Sequence, residues 1–232
     1  MNALSILLQS APAATTPGSE NYLTLLMKGG WILVPIFLLL FLSIYVMIER
    51  WVIIRKAAGG RDRVWITHTN ELIKEGKIEK AAAYCANIDN SSATVIRAGL
   101  KDIDDDIDEI EESMQQEARM EISRLELRTN YLVITSAIAP MLGFLGTIFG
   151  VIRIFYTISS NEGNINIANI TDGLYQKMIC SGAGLFVGII AYAAFYLLNS
   201  RIDRTVTQME KNTNEILKTI RQYKKKGAAN EN

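Results

Sequence analysis

Three stretches of the chain hold no charged side chain: Trp31 to Ile48, Thr129 to Ile152 and Met178 to Ser200. Crossing a hydrocarbon layer about 30 Å thick takes roughly 20 apolar residues at a rise of about 1.5 Å each. Each stretch therefore predicts a membrane-spanning helix. The alternative, three buried helices of a soluble protein, leaves too little polar chain to cover them. Pro35 and Pro140 fall inside spans, where neighbouring helices can accommodate the lost hydrogen bond.

Between and after the spans the pattern changes to an amphipathic one. Ile107, Ile110, Met114, Ala118, Ile122 and Leu125 recur every three or four residues, which predicts a helix entering the second span without interruption. Ile202, Val206, Met209, Ile216, Ile220 and Tyr223 predict the same beyond the third span. Two long helices thus project from the membrane and pack together. Residues 61–90 read as one or two shorter helices with a turn at Glu75-Gly76-Lys77 and a helix-forming run from Ile78 to Cys85. No strand or repeat pattern is present. The expected fold is an all-α integral membrane protein with three transmembrane helices, the second and third extended into long cytoplasmic helices. Its expected divisions are an outer segment at 1–30, a first span at 31–50, a helical domain at 51–127, a second span at 128–157, an outer loop at 158–171, a third span at 172–200 and a helical tail at 201–232.

Charge sets the orientation. Arg50, Arg55, Lys56, Arg61 and Arg63 follow the first span. Arg119, Arg124 and Arg128 precede the second, and Arg201, Arg204 and Lys211 follow the third. The loop from Thr157 to Asp172 has no Lys or Arg, and the N-terminal segment has only Lys28. Basic residues collect on the cytoplasmic side, so the N-terminus and the loop are expected outside, with the helical domain and tail inside. A cleavable signal peptide in the first residues is the lesser alternative, because no basic residue precedes the apolar run.

Composition narrows the function. Twenty-four basic residues balance twenty-four acidic ones, which speaks against a nucleic-acid binder. Cys85 and Cys180 lie in unlike surroundings and predict neither a disulfide nor a thiolate metal site. His68, the one histidine, has no acidic or cysteine partner at motif spacing and reads as a surface residue. No phosphate loop, dinucleotide fingerprint or hydrolase motif occurs, so no enzyme, cofactor or metal is expected. The acidic run from Asp102 to Glu112 suits a helix N-terminus, with Lys224 to Lys226 suiting a C-terminus; weak calcium binding or partner docking is the other reading.

Small residues mark the second and third spans. Gly143, Gly146 and Gly150 clear one face of the second beside Thr147, and Gly184 and Gly188 do so in the third. Such faces let helices approach closely in lipid.

The order of elements resembles the ExbB/TolQ/MotA family of ion-driven motors. "APMLGFLGTIFG" at Ala139 to Gly150 is similar to that family's second-span motif, and "SGAGLFVGIIA" at Ser181 to Ala191 to its third. "KGGW" at Lys28 to Trp31 and "IERW" at Ile48 to Trp51 bracket the first span as in ExbB-like chains. The resemblance implies a homo-oligomeric ring of five subunits in the bacterial inner membrane. It further implies an ExbD-like single-span partner within the ring and a TonB-like protein driven by proton flow. Neither the second nor the third span carries an Asp or Glu in its apolar interior, and a proton path needs a titratable group. The main acceptor therefore falls to the aspartate that the resemblance implies for the partner. This chain offers the hydroxyls of Thr147 and of Ser181, where the family usually has threonine. One departure stands out: many relatives have a glutamate five residues before that third-span hydroxyl, and here the position is Gln176, followed by Lys177. Arg153, at the outer end of the second span, is expected to reach the membrane interface.

Overall fold

A computed structural model describes residues 31–59, 64–160 and 167–230. The N-terminal segment 1–30, Arg61, Arg63, residues 161–166 and the side chain of Gln176 lie outside the described residues. Seven helices make up the described chain: α1 (Leu33–Ala57), α2 (Val64–Lys74), α3 (Ile78–Ala86), α4 (Ser91–Lys101), α5 (Ile107–Glu126), α6 (Asn130–Ser160) and α7 (Ile167–Asn230). Three apolar stretches, one each on α1, α6 and α7, are long enough to cross a bilayer, and only 22%, 28% and 33% of them is buried within the chain. That much exposed apolar surface marks contact with lipid or with other membrane helices. The all-α fold with three membrane helices is the one the sequence predicts.

On one side of the membrane, α2 to α5 gather around the second half of α7. Ile66, Ile73, Cys85, Ile96, Ile110, Met114, Met209, Ile216 and Ile220 form one buried cluster. Each buried isoleucine contributes about 1.5–3 kcal/mol relative to exposure. Most of both amphipathic stripes points into this cluster, with Ile107, Ala118, Ile122 and Tyr223 at its rim, while Leu125, Ile202 and Val206 join a second cluster with Val46, Ile54 and Leu198. Gly76, at φ +75°, turns the chain between α2 and α3 in the left-handed region that glycine enters without steric cost. Asn90 caps α4 by accepting from the Ala93 N–H at 2.6 Å, which satisfies a donor that the first turn leaves open.

A buried polar ladder ties α7 to the other helices. Thr219 donates to Asn70 at 2.6 Å, Asn70 donates to Glu215 at 3.2 Å, and Asn212 donates to Ser92 at 3.1 Å. These bonds fix the rotation of α7 about its axis, because a buried donor without its partner costs about 1–3 kcal/mol.

The acidic run lies at the start of α5, with Asp106 in the N-cap position and Asp108 and Glu109 in the first turn. Its lysine counterpart is placed differently from the sequence expectation. Helix α7 runs past Lys226 to Asn230. Lys224 folds onto the turn before α5, donating to the carbonyls of Ile103, at 2.9 Å, and Asp105, and Arg221 pairs with Glu111 at 2.5 Å. Among the described residues no group of His, Cys, Asp and Glu converges to hold a metal. His68 has an acidic neighbour after all, Glu71, at 3.9 Å, and its ring meets Tyr84 edge-on at 4.9 Å.

The uninterrupted entry into the second span is corrected. Helix α5 ends at Glu126, Leu127 is extended at ψ 138°, and Arg128 adopts φ +63° before α6 begins at Asn130. A left-handed residue other than glycine costs roughly 1–2 kcal/mol, and two contacts oppose it. The Arg128 guanidinium bonds Glu49 at 2.7 Å. Arg50, buried beneath it, donates to the Arg124 carbonyl at 3.3 Å. That carbonyl lies in the last turn of α5, where helical donors run out and a cation is favourable. A hydrophobic period does not report such a break, because the stripe resumes on the far side of it. The helices on either side of the expected loop at 158–171 also extend into it, α6 to Ser160 and α7 from Ile167; no Gly or Pro occurs between Arg153 and Ser160 to end the helix.

Cys85 is buried in the domain core, its sulfur 3.8 Å from the Thr69 hydroxyl. Burial pushes its thiol above the ordinary value, outweighing the Thr69 contact and the distant charge of Arg97. The native thiol is therefore expected to resist maleimide at pH 7.5 and to react fully in denaturant, as labelling followed by intact mass would read. The unfolded chain ionises this thiol at lower pH than the folded one. Its contribution to stability is thus fully present below about pH 9 and falls as pH rises above that.

Candidate functional site

The contact between α6 and α7 is built from residues that lack bulk. Helix α6 buries Leu132, Thr135, Ala139, Gly143, Gly146 and Gly150, at spacings of three and four. Helix α7 answers with Cys180, Gly184, Val187, Gly188, Ala191, Ala194 and Leu198. A Cβ added at Gly143 would lie 3.0 Å from the Cys180 carbonyl oxygen and 3.1 Å from the Ser181 Cα. One added at Gly184 would lie 2.5 Å from the Ala139 carbonyl oxygen and 3.0 Å from the Gly143 Cα. These are backbone atoms, which cannot swing aside. The two helices run antiparallel and touch main chain to main chain.

Pro140 belongs to the same seam. Its ring nitrogen carries no proton, so the Ser136 carbonyl loses its helical donor. Gly188 sits over this point, where a Cβ would come 2.7 Å from Pro140 Cγ and 3.0 Å from the Ser136 carbonyl oxygen. Gly146 brings a third helix in, with Ile32, just before α1, at 3.4 Å from its added Cβ and Cys180 at 3.5 Å. At the far end the aliphatic stem of Lys177 lies across Gly150 and occupies the space a side chain there would need.

The structure thus brings Gly143, Gly146, Gly150, Gly184, Gly188 and Pro140 together as one seam within a single chain. Thr147 and Ser181 flank it at one level, Thr147 following Gly146 and Ser181 following Cys180. Both are half-buried, and the Thr147 hydroxyl donates to the Phe144 carbonyl at 2.6 Å. The backbone at Gln176 is helical, within α7, and its side chain is not among those described. Arg153 is exposed. Sequence reading missed Ala139, Ser136 and Cys180 as seam residues and missed Lys177 as the occupant of Gly150. Spacing identifies one helix's small face and carries no register between two helices.

Chemically the seam from Pro140 to Gly146 and from Cys180 to Gly188 is a neutral surface with two hydroxyls beside it, and Lys177 brings a cation to its Gly150 end. From Leu132 to Ile152 on α6 and from Met178 to Asn199 on α7 there is no charged residue. Hydroxyls donate one hydrogen bond and accept others, so they relay or steady a proton without holding a charge. Outside the seam, α6 exposes Met141, Phe144, Ile148 and Phe149, and α7 exposes Leu185, Phe186 and Ile189, leaving apolar faces for lipid or further helices.

A model of the MotA/TolQ/ExbB proton channel family matches residues 87–211. The biopolymer transport protein ExbB1 of Vibrio cholerae is 34% identical over 85 residues, 37% of each chain. A protein of Synechocystis described as ExbB-like is 28% identical over 181 residues, 75% of this chain and 69% of its own. The Tol-Pal system protein TolQ of Haemophilus influenzae is 28% identical over 83 residues, 36% of each. The matched stretch thus spans little more than a third of the Vibrio and Haemophilus proteins.

The seam geometry separates two neighbouring glycines. A Cβ at Gly182 meets nothing within 4 Å, so Gly182→Ala is expected to leave the melting temperature of the purified protein unchanged or slightly raised. Gly184→Ala forces a methyl onto main chain and is expected to cost about 1–3 kcal/mol, read as a lowered melting temperature in the same detergent.

Proposed function

The chain belongs to the MotA/TolQ/ExbB proton channel family, and from that premise we propose that it is the ring subunit of a motor driven by the proton-motive force in a bacterial inner membrane. With an ExbD-like single-span partner inside a ring of five copies, it energises a TonB-like protein that acts on transport across the outer membrane. Its N-terminus faces the periplasm and its helical domain the cytoplasm, as the placement of basic residues argues.

The observation that carries this reading is the pair of hydroxyls beside the charge-free stretch of the seam at Gly143, Gly146 and Gly184. A passive membrane scaffold needs no polar group at the level of Gly146 and Cys180, whereas a proton path needs one wherever a carboxylate is to be held in lipid. Because α6 between Leu132 and Ile152 and α7 between Met178 and Asn199 hold no carboxylate, the titrating group within the apolar layer is assigned to the partner. Thr147 and Ser181 would then hydrogen-bond to it, and Gln176 would lie farther along the same route as a hydrogen-bonding group that cannot carry the proton itself. The seam glycines keep α6 and α7 locked together, so the ring wall turns or tilts as a unit around the partner. The exposed apolar faces of the membrane helices suit neighbouring subunits and lipid. A TolQ-like motor, a gliding or flagellar stator, or a sodium-driven member would use the same parts, and the TolQ relative keeps that second reading in view.

Two measurements test the reading. Native mass spectrometry of the chain co-expressed with its neighbouring single-span gene is expected to give five copies around two partners. A monomer that ignores the partner would favour the scaffold. In proteoliposomes holding the complex, Thr147→Val is expected to lower proton flux by about tenfold or more, as loss of a proton-relay group does, while Thr147→Ser retains most of it. Flux unchanged in Thr147→Val would remove the hydroxyl from the path.

A further inference from the structure

Where α1 and α7 leave the membrane, the structure holds a cavity of about 470 Å³ apart from the glycine seam. Its lining includes Arg55, Arg201 and Arg204, together with Trp65, Gln208 and Asn212. None of the described residues lining it is acidic, and none of the three arginines forms an ion pair with a described carboxylate. Among the described residues this separates them from Arg50, Arg124 and Arg128. Arg50 and Arg128 share Glu49, and Arg124 holds Glu121.

Depth identifies the ligand's chemistry. The charge-free run of α1 ends at Ile48, and that of α7 ends at Ser200. Arg55 therefore lies about 10 Å beyond the hydrocarbon edge, and Arg201 and Arg204 lie about 2 and 6 Å beyond it, at 1.5 Å per residue. That band overlaps the headgroup layer and the water just outside it, the polar zone flanking the hydrocarbon core. The Arg201 guanidinium stacks on the Trp51 ring, 3.5 Å from its centroid, which holds its charge at the interface where tryptophan prefers to sit. Planar guanidinium groups bind phosphate oxygens through paired N–H donors, and Gln208 and Asn212 on the same wall are joined to each other, Gln208 Nε2 donating to Asn212 Oδ1 at 2.7 Å. Asn212 also bonds Ser92, so that wall of the cavity is fixed before anything enters.

We infer that this cavity binds the phosphate of an anionic group at the membrane surface, through Arg55, Arg201 and Arg204. The source at this depth is the headgroup of an anionic phospholipid in the leaflet facing the helical domain; a soluble phosphate shares the chemistry and is the alternative source. A bound phosphate would bridge α1 and α7 on the side away from the glycine seam. The inference rests on the membrane placement of α1 and α7 and not on proton conduction, so the flux experiment leaves it untouched.

The test titrates the delipidated full-length protein with phosphatidylglycerol, phosphatidylcholine and inorganic phosphate in turn, with binding read by native mass spectrometry. Phosphatidylglycerol is expected to bind the wild type roughly tenfold more tightly than the Arg55→Gln/Arg204→Gln variant, while phosphatidylcholine does not distinguish the two. Arg55→Lys/Arg204→Lys should retain most of the affinity, and Arg119→Gln, an exposed arginine elsewhere, all of it. Each single glutamine variant is measured beside the double one, so that a folding defect in the latter, seen by size exclusion, does not remove the comparison. If inorganic phosphate shows the same dependence on Arg55 and Arg204 and phosphatidylglycerol binds no better than phosphatidylcholine, the site stands with a soluble ligand. Equal phosphatidylglycerol affinity in wild type and the glutamine variants, with no phosphate effect, overturns it.

Discussion

Lipid gives no reward for burying one apolar helix against another, so helices in a bilayer stay together only where their surfaces fit atom to atom. In this chain that requirement falls on the approach of Gly143 to Cys180 and Ser181, and of Gly184 to Ala139 and Gly143. Carbonyl oxygens and α-carbons form the contact, leaving no side chain to rearrange. The positions of Thr147, Ser181 and Lys177 all follow from it. So does the placement of α1, whose leading end reaches the seam through Ile32 at Gly146.

Outside the membrane a different force takes over. Water surrounds the helical domain, and the isoleucine-rich cluster there holds by exclusion from water, with the Asn70, Glu215 and Thr219 network setting its registry. The zone between the two regimes is rich in charge pairs. Glu49, Arg50, Glu121, Arg124 and Arg128 interlock there, and Arg201 stacks on Trp51. A headgroup layer tolerates charges that hydrocarbon would exclude and screens them less than bulk water does, which explains why these contacts concentrate at one depth.

Much of this was legible in the residues. Uncharged blocks of the right length announced the three spans, and the stripes of Ile110, Met114, Ile216 and Ile220 announced the domain core. Glycines at spacings of three and four announced a close contact. Three features were hidden. The break at Leu127 to Thr129 carries no Gly or Pro, because an arginine held by Glu49 occupies the left-handed position that glycine usually takes. Lys224 reaches its carbonyl partners across the chain from turn residues 121 and 119 positions away, and no local pattern encodes such a distance. The stem of Lys177 fills the gap at Gly150 through a register between α6 and α7 that neither helix states alone.

Helix α7 is a single unbroken column of 64 residues, about 96 Å long, and it carries both the seam at Gly184 and the core at Ile216. Its neighbour is jointed, with α5 and α6 meeting at the left-handed Arg128. The pair therefore resembles a stiff strut beside a hinged one. A tilt imposed on the seam would be carried by the stiff member toward the far end of the domain, whereas on the jointed side it meets a break clamped by Glu49 through Arg128.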